Sequence, residues 1–225
     1  MSFIAEVPLR GVQVTVDGFV QGGQVTVMGV VDSVMFPGTQ SFQRFEYPST
    51  LPESVSARMA DITRRFVQGS GLDHSCFNVE MFYEAETDHI SIIELNPRMS
   101  YQFSDLYARV DGLSLIDVQL ALATGRSVPW VPGSGPDRAA ASFVGRQFVD
   151  GRVSRVPSDG EIHAAYEAFP SAHIEVLCKV GERLSELPQD MGSFRYSITN
   201  LAARDREALF SDHARLEKML AFEFD

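Results

Sequence analysis

The sequence predicts an α+β fold in which helices flank an antiparallel sheet. Two pairs of apolar, β-branched runs lie on either side of short polar turns: residues 12–20 with 24–32, and 76–83 with 89–96. That is the pattern of hairpins. Between them, residues 52–68 carry Val55, Met59, Ile62 and Phe66 at the spacing of one helix face. An apolar content of 44% over 225 residues is enough for a core and allows one large domain or two small ones.

Each element has a local cause. Residues 12–20 alternate, turn at Gln21-Gly22-Gly23 and return as 24–32. Pro37-Gly38 marks a loop, after which residues 42–47 form a short aromatic strand closed by Pro48. Gly69 and Gly71 stop the helix over 52–68. The strands 76–83 and 89–96 follow, joined by the polar turn 84–88. A short helix over 103–110 ends at Asp111-Gly112, and Ser114 caps the next, which ends at Gly125. The proline- and glycine-rich stretch 128–136 reads as a domain boundary or a long crossover. It divides the chain into 1–130 and 131–225. Beyond it, residues 139–149 and 152–156 are expected to form a hairpin around Asp150-Gly151. A helix over 159–169, strands over 173–179 and 196–200 and a final helix over 205–220 complete the chain.

Composition narrows the function. A net charge of −11 opposes a nucleic-acid surface or an anionic membrane partner. No apolar run approaches 18 residues and no signal peptide is visible, so the cytoplasm is the expected compartment. Cys76 and Cys178 lie far apart, inside predicted strands, and read as small buried hydrophobes. The five histidines lack metal-ligand spacing, and Trp130 reads as core.

The chemistry concentrates in one hairpin. Centred on Thr87, it sets Glu80 opposite Glu94 and Phe82 opposite Ile92. Directly opposed side chains are only ~5 Å apart at Cβ, where like charges repel. A divalent cation would relieve that repulsion. Asn96 points the same way as Glu94, because side chains alternate along a strand. Pro97 ends the ladder and turns Arg98 back over the strand end. Two carboxylates, an amide oxygen and an arginine make a hard-cation and phosphate site. The glutamates alone fit a half-solvated sheet face equally well.

Phe77-Asn78-Val79-Glu80 followed by Glu94-Leu95-Asn96-Pro97-Arg98 resembles the metal-and-nucleotide signature of the ATP-grasp superfamily. Carbamoyl-phosphate synthetase, biotin carboxylase and the carboxylate–amine ligases belong to that superfamily. The segments 110–118 and 14–20 are similar as well, so the resemblance covers roughly residues 4–125. It implies an ATP-grasp C-lobe followed by a small α+β cap domain, similar to the carboxy-terminal cap of biotin carboxylase. It also implies that the chain is the carboxy-terminal half of a ligase, since the family's phosphate-holding lysines and glycine-rich flap are absent. An exposed apolar face would then be covered by self-association or by a partner chain supplying the amino-terminal half.

The family's roles carry over residue by residue. Glu80, Glu94 and Asn96 would hold magnesium, or manganese in its place. Glu80 and Glu94 would thereby bind ATP phosphates, and Arg98 would contact the transferring phosphoryl group. Glu6 resembles the carboxylate near the adenine amine, and Gln13 stands where some members contact ribose. Gln102 lies near the place of a general-base glutamate in biotin carboxylase. Glutamine takes no proton, which favours a small carboxylic acid over bicarbonate as substrate. Arg44, Glu46 and Tyr47 belong to a stretch that often lines the acceptor site, or else to a plain surface loop. The implied activity is ATP-dependent conversion of a carboxylate to an acyl phosphate, attacked by an amine or similar nucleophile. The alternative is a non-catalytic module that uses an ATP-grasp lobe for nucleotide sensing or protein pairing.

Overall fold

A computed structural model describes residue 3 and residues 7–187 and 192–225. Its frame is one eight-stranded sheet made of β1 (Val12–Gln21), β2 (Gln24–Met35), β3 (Phe42–Tyr47), β4 (Ser75–Glu84), β5 (His89–Asn96), β6 (Ala139–Gln147), β8 (His173–Val176) and β9 (Phe194–Ala203). Their order is β5-β4-β1-β2-β3-β6-β9-β8, antiparallel throughout. The short strands β7 (Val153–Arg155) and β10 (Glu223–Phe224) pair separately.

Strand alternation sends two apolar sets to opposite faces. Val14, Val16, Val30, Phe77, Val79 and Met81 meet α1 (Glu53–Ser70). On the same side Ala139, Ala141, Phe143 and Leu201 pack under α4 (Asp159–Ala168) and α5 (Arg206–Glu217). The other face, with Phe19, Met28, Phe45, Tyr47 and Ala140, packs against α2 (Ser104–Asp111) and α3 (Leu115–Ala123).

Several boundaries follow the expected chemistry. Gly112 takes the left-handed cap of α2 at φ 73°, and the Ser114 side chain accepts from Asp117 N at the start of α3. Ser158 and Glu161 form a full capping box on α4. The 128–136 stretch is a crossover held against α2. The buried Asp111 accepts from Tyr47 Oη at 2.7 Å, Trp130 Nε1 at 3.1 Å and Gly133 N at 2.7 Å. Gly135 passes so close that a Cβ would sit 2.2 Å from Arg109 O. The strands that follow do not form a separate sheet: β6, β9 and β8 extend the first one through β3.

The structure corrects four expectations. Residues 139–149 and 152–156 form no hairpin, since β6 pairs with β3 and β9 while β7 pairs with β10. Asp150 instead accepts from Arg183 Nε and from Ser185, which anchors the turn to a distant segment. Gly69 lies within α1, and Gly71 alone caps it in the left-handed region. Cys178 is buried but lies beyond the end of β8. In the β4–β5 hairpin Glu80 faces Glu94, yet Phe82 faces Ser91, because the register slips between Glu80 and Met81. Ile93 is the extra residue and is 41% exposed. A bulge of this kind bends the strand and re-aims its side chains.

Candidate active site

The polar residues of β1, β4 and β5 gather on the sheet face that carries α2. On β1, Gln13, Thr15 and Asp17 alternate with the buried Val14 and Val16. Thr15 pairs with Glu80, Asp17 with Asn78, and Asn78 in turn with Asn96 on β5. Gln13 Nε2 donates to Glu80 Oε2 at 2.9 Å, and Asn96 Nδ2 donates to Glu94 Oε1 at 2.8 Å. Those two neutral amides are the hydrogen bonds shown for the opposed carboxylates. Burial and the facing Glu94 push the Glu80 carboxyl above its ordinary pKa, against the pull of Arg98 and Gln13.

Beneath this pair lies a buried network. Asp17, 1% exposed, accepts from Asn78 Nδ2 at 3.1 Å, Ser100 Oγ at 2.9 Å and Tyr107 Oη at 3.4 Å. Desolvation raises its pKa to about 6 despite those bonds. The network ties the segment after Arg98 to the floor of the sheet. Arg98 is exposed; its backbone N–H closes a turn on Asn96 O at 2.9 Å.

A cleft of about 190 Å³ runs along this face, lined by Gln13, Thr15, Ser33, Asn78, Glu80, Arg98 and Ser100 among others. Small-molecule pockets usually hold ~300–1,000 Å³, so the volume of this cleft matches only part of a nucleotide-sized molecule. Ser33 Oγ is buried in its wall without a hydrogen-bond partner among the described residues. Another cavity, of about 540 Å³, lies between the sheet and α5 and contains none of the acidic residues of this cleft.

The structure brings Gln13, Glu80, Glu94, Asn96 and Arg98 to one end of one sheet face. Glu6 lies outside the described residues. Gln102 is near, with Nε2 donating to Ser142 Oγ at 3.0 Å. Arg44, Glu46 and Tyr47 do not reach the cleft and do not form a plain surface loop. Arg44 and Arg206 clamp the buried Glu46, and Tyr47 is core. Thr15, Asp17, Ser33 and Asn78 were missed, although the alternation of Gln13, Thr15 and Asp17 with valines was a readable signal.

The acidic pair also meets a chemical test for a cation. Among the described residues no three His, Cys, Asp or Glu side chains converge on a metal-sized point. Magnesium does not require that, because it is bound through one or two carboxylates, waters and substrate phosphates. Glu80, Glu94 and the Asn96 amide oxygen suit such an open site, and the repulsion between the carboxylates is what a cation would remove.

Comparison with known proteins agrees on the architecture. The family described as "Carbamoyl-phosphate synthase L chain, ATP binding domain" matches residues 25–131. The carbamoyl phosphate synthase large chain of Arthrobacter sp. (strain FB24) is 28% identical over 123 residues, 55% of this chain and 10% of that protein. Phosphoribosylglycinamide synthetase from Anaerococcus prevotii superposes with a TM-score of 0.74 at 11% identity, over 96% of this chain and 54% of that one. Biotin carboxylase from Campylobacter jejuni gives 0.69 at 13%, over 95% and 46%. This chain has the ATP-grasp fold. The resemblance seen in Asn78-Val79-Glu80 and Glu94-Leu95-Asn96-Pro97-Arg98 therefore sits on the matching architecture. The chain spans about a tenth of the length of the curated relatives it matches. Among the described residues no helix is long and apolar enough to cross a membrane.

Proposed function

We infer that this chain supplies the metal- and phosphate-binding lobe of an ATP- and magnesium-dependent ligase that activates a carboxylate as an acyl phosphate. One observation carries the reading: Glu80 and Glu94 stand in direct register with only neutral amides hydrogen-bonded to them. Magnesium, when bound, neutralises charge on a transferring phosphoryl group. Glu80, Glu94 and Asn96 would hold it. Arg98 presents its planar fork to phosphoryl oxygens. Asp17 keeps Asn78 and Ser100 in place under the cleft, so that Arg98 leaves the sheet in a fixed direction. Gln102 cannot take up a proton at neutral pH, which suits a carboxylic acid, already ionised, better than a substrate needing a base. The partners in this reading are ATP, a small carboxylic acid, an amine-like nucleophile and a second copy or chain completing the ATP site.

Isothermal titration of magnesium-ATP into this chain, with Glu94→Gln as control, tests the reading. We expect binding to the native chain and at least a tenfold loss in the variant, the scale of one charge-assisted contact. Equal binding by both would remove the carboxylate pair from the site.

A further inference from the structure

A second cleft, of about 280 Å³, adjoins the first, and Tyr101 and Gln102 line both. Its inner wall carries Asn200, from β9, which is 7% exposed. Asn200 Nδ2 donates to Asp105 Oδ2 at 2.8 Å. A carboxylate can only accept, so this bond fixes the amide's orientation and turns Oδ1 the other way. That oxygen is buried and has no hydrogen-bond partner among the described residues. A buried acceptor left without a donor is costly, so it marks a place where a donor is wanted.

The charges around it say which kind of donor. Asp105 and Glu175 both line the cleft, as do Arg195 and His173, and His173 Nε2 is 3.2 Å from Glu175 Oε1. The two carboxylates outnumber the one guanidinium, and together with the orphaned amide oxygen they favour an N–H-rich cation over an acid. We propose that this second cleft binds the amine-bearing co-substrate, with Asn200 Oδ1 accepting from the amine and Asp105 and Glu175 supplying the negative potential. The assignment to a co-substrate rests on the ligase reading above; the preference for an amine stands on the cleft itself. An amine held here would lie against Tyr101 and Gln102, which also line the cleft that contains Glu80 and Arg98.

The asparagines allow both ideas to be tested in one sample. Asn78 and Asn96 flank the first cleft, and Asn200 sits in the second. In the chain labelled with ¹⁵N at asparagine, side-chain amide signals are followed during three separate titrations: ethylammonium chloride, sodium propionate and magnesium-ATP. Ethylammonium should shift Asn200 saturably and leave Asn78 and Asn96 in place, while propionate shifts none of the three. Glu175→Gln, on the edge strand β8, should weaken the ethylammonium response about tenfold, as expected for loss of a charged partner. A shift of Asn200 by propionate instead would make the cleft an acid site and overturn the proposal. No shift by either at saturating concentration would mean that the orphan oxygen is satisfied by water, and would also overturn it. Magnesium-ATP that leaves Asn78 and Asn96 unmoved, while ethylammonium still moves Asn200, would reject the ligase reading and keep the amine site.

Discussion

Two acidic pairs face each other across neighbouring strands of this sheet, and they are treated in opposite ways. Asp32 on β2 stands opposite Glu46 on β3, just as Glu80 on β4 stands opposite Glu94 on β5. The first pair is fully answered. Asp32 accepts from Ser49 Oγ and from the backbone and hydroxyl of Thr50, and Glu46 is held by Arg44 at 2.7 Å and by Arg206. The second pair is hydrogen-bonded only by Gln13 and Asn96, which carry no charge, while Arg98 acts on Glu80 from a distance, with no ion pair between them among the described residues. Opposed carboxylates are therefore no sufficient sign of a metal site. What separates the two pairs is whether protein cations and donors have already neutralised them. The pair with no cation in contact is the one that opens on a cleft.

The largest effect should come from breaking the answered pair. Arg206→Ala leaves Glu46 with Arg44 alone, opposite Asp32, and removes a bond to Pro48 O. We expect a loss of about 3 kcal/mol, the low end for removing one partner of a buried ion pair. Urea denaturation at constant m-value measures it; a cost near zero would mean the clamp does not neutralise the pair. A somewhat smaller effect should come from Asp17, a third carboxylate that has hydrogen bonds but no cation in contact. Its folded pKa of about 6 exceeds its ordinary value of 3.8. The folded state thus holds a proton that the unfolded chain releases. The corresponding stability is fully present below about pH 4 and is lost as pH rises through about 6. The native chain should lose about 2–3 kcal/mol across that window relative to Asp17→Asn, from a shift of roughly two units. Parallel pH dependences for the two proteins would show that Asp17 is not desolvated as described.

Much of the sheet was legible, because alternation and turn residues act over a few positions. β3 matches its expected bounds, and the Ser114 cap and Gly112 terminus were set by local chemistry. What failed was non-local. Asp150-Gly151 has the dipeptide of a tight hairpin, but a salt bridge and two hydrogen bonds to residues 183 and 185 outweigh it. The slip at Ile93 was invisible because a bulge changes register without changing composition. The register of the turn alone would set Glu80 opposite Ile93, and the extra residue of the bulge is what brings Glu94 opposite Glu80. Arg44 and Glu46 were misplaced because Arg206, the second partner of Glu46, stands 160 positions away from it. In the site itself, Asp17, Asn78 and Ser100 converge only once three separate segments are folded together.

The smallest effect has the opposite sign and decides most. Glu80 is half-buried, and both burial and Glu94 disfavour its charge. Glutamine keeps the shape, removes the repulsion and can still bond Gln13. Without magnesium, Glu80→Gln should therefore stabilise the chain by about 1 kcal/mol, the scale of an opposed like-charge pair. Arg206→Ala destabilises by contrast, because there the protein itself supplies the countercharge. Adding magnesium should reverse the order of the native chain and Glu80→Gln, since a ligand that binds the folded state stabilises only the chain able to hold it. Thermal unfolding with and without magnesium measures both steps. If Glu80→Gln is less stable than the native chain in metal-free buffer, the pair is already neutralised within the protein, and its difference from Asp32 and Glu46 disappears.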